Sequence, residues 1–224
     1  MIISFASTKG GVGKSTIALV LATYFAKHLP KNGKEFSVAC IDSDPNQTLD
    51  TALKLVNFPE IWQATADAQT LLPILKEAGD KADLILIDLE GSANQAMLYA
   101  AGKSDLVIIP AQPSAFDVRE AKKTFSVVKQ AADLVGREIQ VSVVLSRTPV
   151  LKQRVSEHSK NQFVKSDLPM LDVELMQRTI FQQMSYSGIP PFIAEPGGGA
   201  AANVEALAKA VAAKIGLEVA GQEA

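Results

Sequence analysis

The 224 residues carry 47% hydrophobic and 21% charged side chains and a formal net charge of −2. This excludes a disordered chain, and it leaves any nucleic-acid binding to a local patch rather than to bulk charge. Cys40 is the only cysteine, so neither an internal disulfide nor a set of cluster-ligating thiolates can form, and the composition fits a reducing cytoplasm. There is no secretory signal pattern, and no uninterrupted apolar stretch reaches the roughly 18 residues of a membrane span. A cytoplasmic protein with no membrane association is expected.

In chain order, the apolar run Met1-Ile2-Ile3-Ser4-Phe5 predicts a strand. It is followed by the turn Ala6–Thr16 and a helix from Ser15 to about Leu29, in which Ile17, Val20, Leu21 and Tyr24 mark one apolar face. Pro30–Lys34 predicts a polar turn and Phe36–Ile41 a second strand, with Cys40 as a buried strand thiol. Residues 47–82 predict two short helices near Thr48–Leu55 and Thr70–Ala78, with Pro59 and Pro73 as boundaries. Leu84–Asp88 is a continuous apolar run ending in a carboxylate, as in a strand covered on both faces. A helix over Ser92–Ala101, a strand over Leu106–Pro110, a helix over residues 114–135 and a strand over Ile139–Leu145 follow.

Beyond residue 150 the pattern is less regular. It predicts a polar helix near Lys152–Phe163, a short strand at Met170-Leu171, a helix through Met176, Ile180 and Met184, and loops at Pro190-Pro191 and Pro196–Gly199. A closing helix carries Val204, Leu207, Val211 and Ile215, and a frayed tail begins near 217. Strands alternating with helices argue an α/β fold: a mostly parallel twisted sheet with helices on both faces, forming one domain over residues 1–224.

The stretch that carries chemistry is Lys9-Gly10-Gly11-Val12-Gly13-Lys14-Ser15-Thr16. Its glycines let backbone N–H groups converge, and the helix that follows adds its positive end, so the turn is a phosphate-binding loop. Lys14 reaches the β- and γ-phosphates and the Ser15 hydroxyl binds Mg²⁺. In a parallel sheet the ligand sits beyond the carboxyl ends of the strands. Asp42 and Asp88 lie at such ends, and Asp88 is the carboxylate expected to orient Mg²⁺. Asp44-Pro45 is also a turn initiator.

Residues 9–16 match throughout the deviant loop KGGxGK[ST][ST] of the ParA/MinD family of P-loop ATPases, which the chain resembles over nearly its full length. The resemblance is strongest at residues 1–16, 41–48, 84–91 and 105–117, and most specific to the small ParA-type partition ATPases. It implies that Lys9, which has no evident task within a single chain, reaches across an ATP-dependent homodimer to the partner's nucleotide. It implies that Asp42, in the segment Asp42-Ser43-Asp44-Pro45-Asn46, positions the attacking water and lies near the metal, although Asn46 replaces the usual glutamine. It implies a Gly91 backbone contact to the γ-phosphate, a base contact near Ser146-Arg147 in which Arg147 stacks on adenine, and a dimer-proximal segment at Pro110–Asp117.

Glu90 departs from the family pattern, and its carboxylate is expected to face away from the phosphates. The Pro190–Pro196 segment is a second candidate lid over the base. The implied function is Mg²⁺-dependent ATP hydrolysis in DNA partition, with nonspecific DNA bound by the dimer and an adaptor or centromere-binding protein stimulating hydrolysis. DNA would be met by Arg119, Lys122, Lys123 and Lys129 or by Lys152, Arg154, Lys160 and Lys165, clusters that equally suit a solvated face. Conjugation, transport of a non-DNA cargo, a ligase of the dethiobiotin synthetase type and a slow ATP-binding regulatory module are the alternatives.

Overall fold

A computed structural model of the chain describes residues 1–29, 36–151 and 154–217, side chains of 154–156 excepted. The expected polar turn at Pro30–Lys34 and nearly all of the expected tail lie outside the described residues. Leu217, at the end of them, packs against the core.

Seven parallel strands form the sheet, in the order β3-β2-β4-β1-β5-β6-β7. They are β1 (Ile2–Phe5), β2 (Val38–Ser43), β3 (Ile61–Thr65), β4 (Leu84–Leu89), β5 (Leu106–Ala111), β6 (Gln140–Thr148) and β7 (Leu175–Met176). Between and after them run α1 (Lys14–His28), α2 (Thr48–Val56), α3 (Leu71–Lys81), α4 (Gln95–Lys103), α5 (Ala115–Val135), α6 (Arg154–Val164), α7 (Thr179–Ser187), the short α8 (Pro191–Ala194) and α9 (Gly199–Lys214). This is the parallel α/β sheet that the alternating pattern predicts.

Side chains of successive strand residues leave opposite faces of the sheet and feed two cores. Ile3, Phe5, Val38, Cys40, Leu84, Leu86 and Ile108 pack with α1, α2 and α9. Ala39, Ile41, Ile85, Ile87, Val107 and Ile109 pack with α3, α4, α5 and α6. Every residue of β2, β4 and β5 is buried, which is why these strands read as unbroken apolar runs. The single apolar face expected for α1 is a poorer description: Ile17 to Ala26 are all buried, because α9 and α2 cover the side of α1 turned away from the sheet.

Further differences are local. β2 is shifted two residues towards the C-terminus, so that Asp42 and Ser43 belong to the strand. α4 starts at Gln95 rather than at Ser92 because Asn94 is its cap, its side-chain oxygen accepting the Met97 N–H at 2.9 Å. The stretch expected to hold two helices also holds β3, an edge strand in which Ile61 alone is buried, and Pro73 sits in the first turn of α3, where its missing N–H costs nothing. Met170 makes only an isolated bridge to Val143, and the outer strand is Leu175–Met176 instead.

Candidate functional site

β1 is paired with β4 on one side and β5 on the other, so the segments leaving β1, β2, β4 and β5 meet along one edge of the sheet. Phe5 is level with Asp88, and Asp88 is level with Asp42. The loop leaving β1 therefore starts beside both carboxylates.

Gly11 and Gly13 have φ of +74° and +94°, conformations that side-chain-bearing residues rarely adopt. Gly13 is the residue before α1, and no side chain caps that helix start. The orphan N–H groups of the first turn are thus available to an anion, with no acidic residue in that turn to compete. Gly10, Gly11, Gly13, Lys14, Ser15 and Thr16 line a cleft of about 410 Å³, closed on the other side by Asp44, Asn46, Thr48, Glu90, Gly91 and Arg147. Lys14 is 6% exposed. A larger hollow of about 830 Å³ lies between the C-terminal end of α5 and the start of β6, where no phosphate-binding feature is present.

Asp88 is fully buried, and neither carboxylate oxygen has a hydrogen-bond partner. Burial pushes its carboxyl up to about 7; the charges of Asp42 and Asp44 push the same way, and the nearby Ser15 hydroxyl and Lys14 ammonium oppose them. A buried carboxylate left in this way calls for a cation. A divalent ion between the Ser15 hydroxyl and the Asp88 side of the cleft fits these donors, and it has to take its remaining ligands from phosphate and water, since among the described residues no cluster of three His, Cys, Asp or Glu side chains exists.

Asp42 is 2% exposed, and its two oxygens accept the N–H groups of Asp44 at 3.0 Å and Asp50 at 2.9 Å. Burial raises its pKa against the pull of these donors. It holds the β2–α2 turn in place but does not line the phosphate cleft. Asp44 does, with one oxygen occupied by the backbone N–H and side-chain amide of Asn46 at 2.8 and 2.9 Å. Gly91 lies so close to the loop that a Cβ there would stand 2.8 Å from the Gly10 nitrogen. Glu90 reaches the rim of the cleft while its carboxylate accepts from the Asn94 side chain at 2.8 Å, an anchor that holds it to the start of α4.

Lys9 is absent from the residues lining the cleft of its own chain. Its ammonium lies 2.8 Å from the Asp117 carboxylate, at the start of α5. Within one chain it therefore has a partner, contrary to the sequence-based expectation. Val12 is buried, and its carbonyl accepts from the Ser146 hydroxyl at 2.6 Å, so Ser146 braces the loop. Arg147, with φ of +52°, lies on the boundary between the cleft and a crevice of about 180 Å³. Leu175, Gln177, Arg178, Phe181 and Gln182 wall that crevice. The Pro190–Pro196 segment is not part of that wall. Its Phe192 is buried against Tyr24 and His28 of α1 instead.

The sequence pattern defining the VirC1 protein family matches residues 1–203. The chain belongs to that family. ParA of Rhizobium radiobacter is 27% identical over 221 residues, covering 96% of this chain and 97% of its own. A single-residue variant of Cyanothece McdA in complex with ATP superposes with a TM-score of 0.80 at 18% identity, covering 99% of this chain and 98% of that one. MinD of Pyrococcus horikoshii, complexed with Mg-ADP, gives 0.70 at 20% identity over 94% and 95% of the two chains. The VirC1 family member described here thus shares the fold of McdA and MinD. The basic side chains expected to meet DNA are partly engaged: Lys123 pairs with Glu120, Lys160 with Glu174, and Arg119 and Lys129 lie over the rings of Phe116 and Phe125. No helix among the described residues is long and apolar enough to cross a membrane.

Proposed function

We propose that this chain is a magnesium-dependent ATP hydrolase of one domain that works as an ATP-driven dimerising switch in DNA partition. The buried, unpartnered Asp88 carboxylate beside Lys14, Ser15 and an uncapped helix start carries this reading, because that donor set suits a metal-bound nucleotide phosphate chain. The loop N–H groups and Lys14 bind and orient the β- and γ-phosphates. Ser15 and Asp88 would hold Mg²⁺, which supplies charge neutralisation for the phosphoryl group. The Asp42–Asn46 turn orients the attacking water, with Asp44 facing the cleft and Asp42 fixing the turn from behind. Phosphoryl transfer needs an oriented water more than a strong base, so a rigid turn suffices. Gly91 offers its backbone to the γ-phosphate, and Arg147 lies against the base.

Lys9 crosses to the nucleotide of a second copy. The ATP-bound dimer binds DNA without sequence preference, in the cytoplasm on the nucleoid, and an adaptor or centromere-binding protein accelerates hydrolysis and release. The likeness to ParA supports the cargo assignment.

ATP turnover and gel filtration with ATP, with and without nonspecific duplex DNA, test the proposal. Hydrolysis, an ATP-dependent dimer and DNA binding that fades with salt are expected. An ATP-dependent dimer that ignores DNA at low salt would remove the partition reading and leave the same switch acting on another cargo.

A further inference from the structure

We propose that Glu90 is a catalytic carboxylate of this site: it takes the attacking water at the rim of the phosphate cleft and helps to aim it, and Asn94 positions it for that task. This inference rests on the proposed ATP hydrolysis.

The carboxylates at this edge of the sheet are not equally free. Asp88 is fully buried and, in the proposed reading, is committed to Mg²⁺. Asp42 does not line the cleft, and its oxygens accept the N–H groups of Asp44 and Asp50. Asp44 and Glu90 are the carboxylates that do line it. Asp44 gives one oxygen to Asn46. Glu90 gives Oε2 to the Asn94 side chain at 2.8 Å, and among the described residues no hydrogen bond occupies its Oε1.

Glu90 is also held in place. The residue after it, Gly91, packs so closely on the phosphate loop that the backbone here has no room to shift towards Gly10. Asn94 is fixed in turn. Its Oδ1 accepts the Met97 N–H at 2.9 Å at the start of α4, and its amide also donates to the Ser92 hydroxyl at 3.2 Å. The amide therefore ties one carboxylate oxygen to a helix end and leaves the other to accept from water.

A carboxylate in direct contact with the γ-phosphate would be repelled. With a water between them, the same charge orients the nucleophile. The water donates its hydrogens to Glu90 and Asp44 and turns a lone pair towards phosphorus. Its oxygen bonds to the γ-phosphorus as the bond from phosphorus to the β–γ bridging oxygen breaks. ADP leaves with that electron pair, and the proton shed by the water passes to an oxygen of the transferred phosphoryl group. Glu90 stays ionised throughout, so it acts as an acceptor that fixes direction and not as a base.

The competing explanation is that Glu90 only ties its loop to α4. Two variants separate the two. Glu90→Gln keeps an oxygen for the Asn94 amide and removes the charge. Asn94→Asp keeps the oxygen that caps α4 and removes the amide that positions Glu90.

The readouts are kcat and KM for ATP with Mg²⁺, the dissociation constant of a fluorescent non-hydrolysable ATP analogue, and the melting temperature. Glu90→Gln should lower kcat about a hundredfold. It should bind the analogue as tightly as wild type or tighter, because a negative charge has left the rim, and it should melt at the wild-type temperature. Asn94→Asp should lower kcat about tenfold, with analogue affinity within about threefold of wild type and the cap intact.

A Glu90→Gln protein whose kcat stays within about threefold of wild type overturns the inference. So does a loss of turnover matched by an equal loss of analogue binding, or one that comes with a lowered melting temperature. In each of these cases the wild type still hydrolyses ATP and the proposed hydrolase stands. A wild-type protein that binds the analogue but releases no phosphate from ATP overturns the hydrolase itself, and the role of Glu90 with it.

Discussion

Between Thr8 and Gly11 the phosphate loop is fastened by side chains from α5 and from Gln112, just past β5, whereas from Gly13 to Thr16 it rests on the helix it opens. Thr8, Lys9 and Gly11 bond to Thr124, Glu120, Asp117 and Gln112, all more than 100 residues away. The second half has an uncapped helix start, the 6%-exposed Lys14 and the unpartnered Asp88 carboxylate beside it. One half is held in place by interactions that already exist, and the other is left with needs that a ligand meets. Nucleotide binding within one chain belongs to the second half, and communication with the rest of the molecule belongs to the first.

The comparison breaks most sharply at Lys14. Lys14→Ala should lower the ATP hydrolysis rate by roughly a hundredfold or more, with thermal unfolding of the ligand-free protein little changed. A comparable loss of activity from Thr8→Val would show that the two halves are not separable.

Asp88→Asn tests the unmet need directly. The ligand-free Asp88 carboxyl is raised to about 7 from 3.8. Below about pH 4 it is protonated whether the chain is folded or not, and it has no effect on stability. Between there and neutrality the folded state keeps a proton that the unfolded state has lost, so stability falls as pH rises, and the whole penalty is present above pH 7. Asp88→Asn should therefore stabilise the nucleotide-free protein in EDTA by roughly 4 kcal/mol at pH 8. The gain should fade towards pH 4, and Mg²⁺–ATP should no longer raise the melting temperature. A gain independent of pH would mean that Asp88 has a partner after all.

Smaller effects sharpen the first half. Thr124 is fully buried, and its hydroxyl takes the Thr8 N–H. Thr124→Val leaves that donor without its partner, and about 1–3 kcal/mol of stability should be lost in urea unfolding, with ATP affinity changed less than threefold. Ser146→Ala removes the bond to the Val12 carbonyl at a cost of about 1 kcal/mol. Because Val12 joins the two halves, this variant should show a modest rise in KM for ATP at unchanged kcat.

The second half of the loop was legible in the sequence because its chemistry is local: glycines, lysine and hydroxyl lie in consecutive order between a strand and a helix. β4 and β5 were legible because both of their faces are covered, so no polar alternation interrupts them. The first half was not legible. Resemblance marks Pro110–Asp117 as dimer-proximal and Ser146-Arg147 as a base contact, and only the β1–β5–β6 adjacency shows that Asp117 and Ser146 fasten the loop. The Asp42–Asn46 segment was found, but the roles within it depend on which way each side chain leaves the strand end; Asp42 turns back onto the chain and Asp44 faces the cleft. β3 escaped notice because only Ile61 of its five residues is buried, which leaves a short, mixed run, Ile61-Trp62-Gln63-Ala64-Thr65.

Cys40 lies in the middle of β2, fully buried, and burial beside the Asp88 and Asp42 charges raises its thiol well above the ordinary range. A thiol in that state is inert towards maleimides. The chain therefore offers a silent background for site-directed labelling: a cysteine introduced at Phe116, which is 72% exposed one residue before Asp117, would carry a fluorophore alone, and its emission would report on the start of α5 without any native residue having to be removed first.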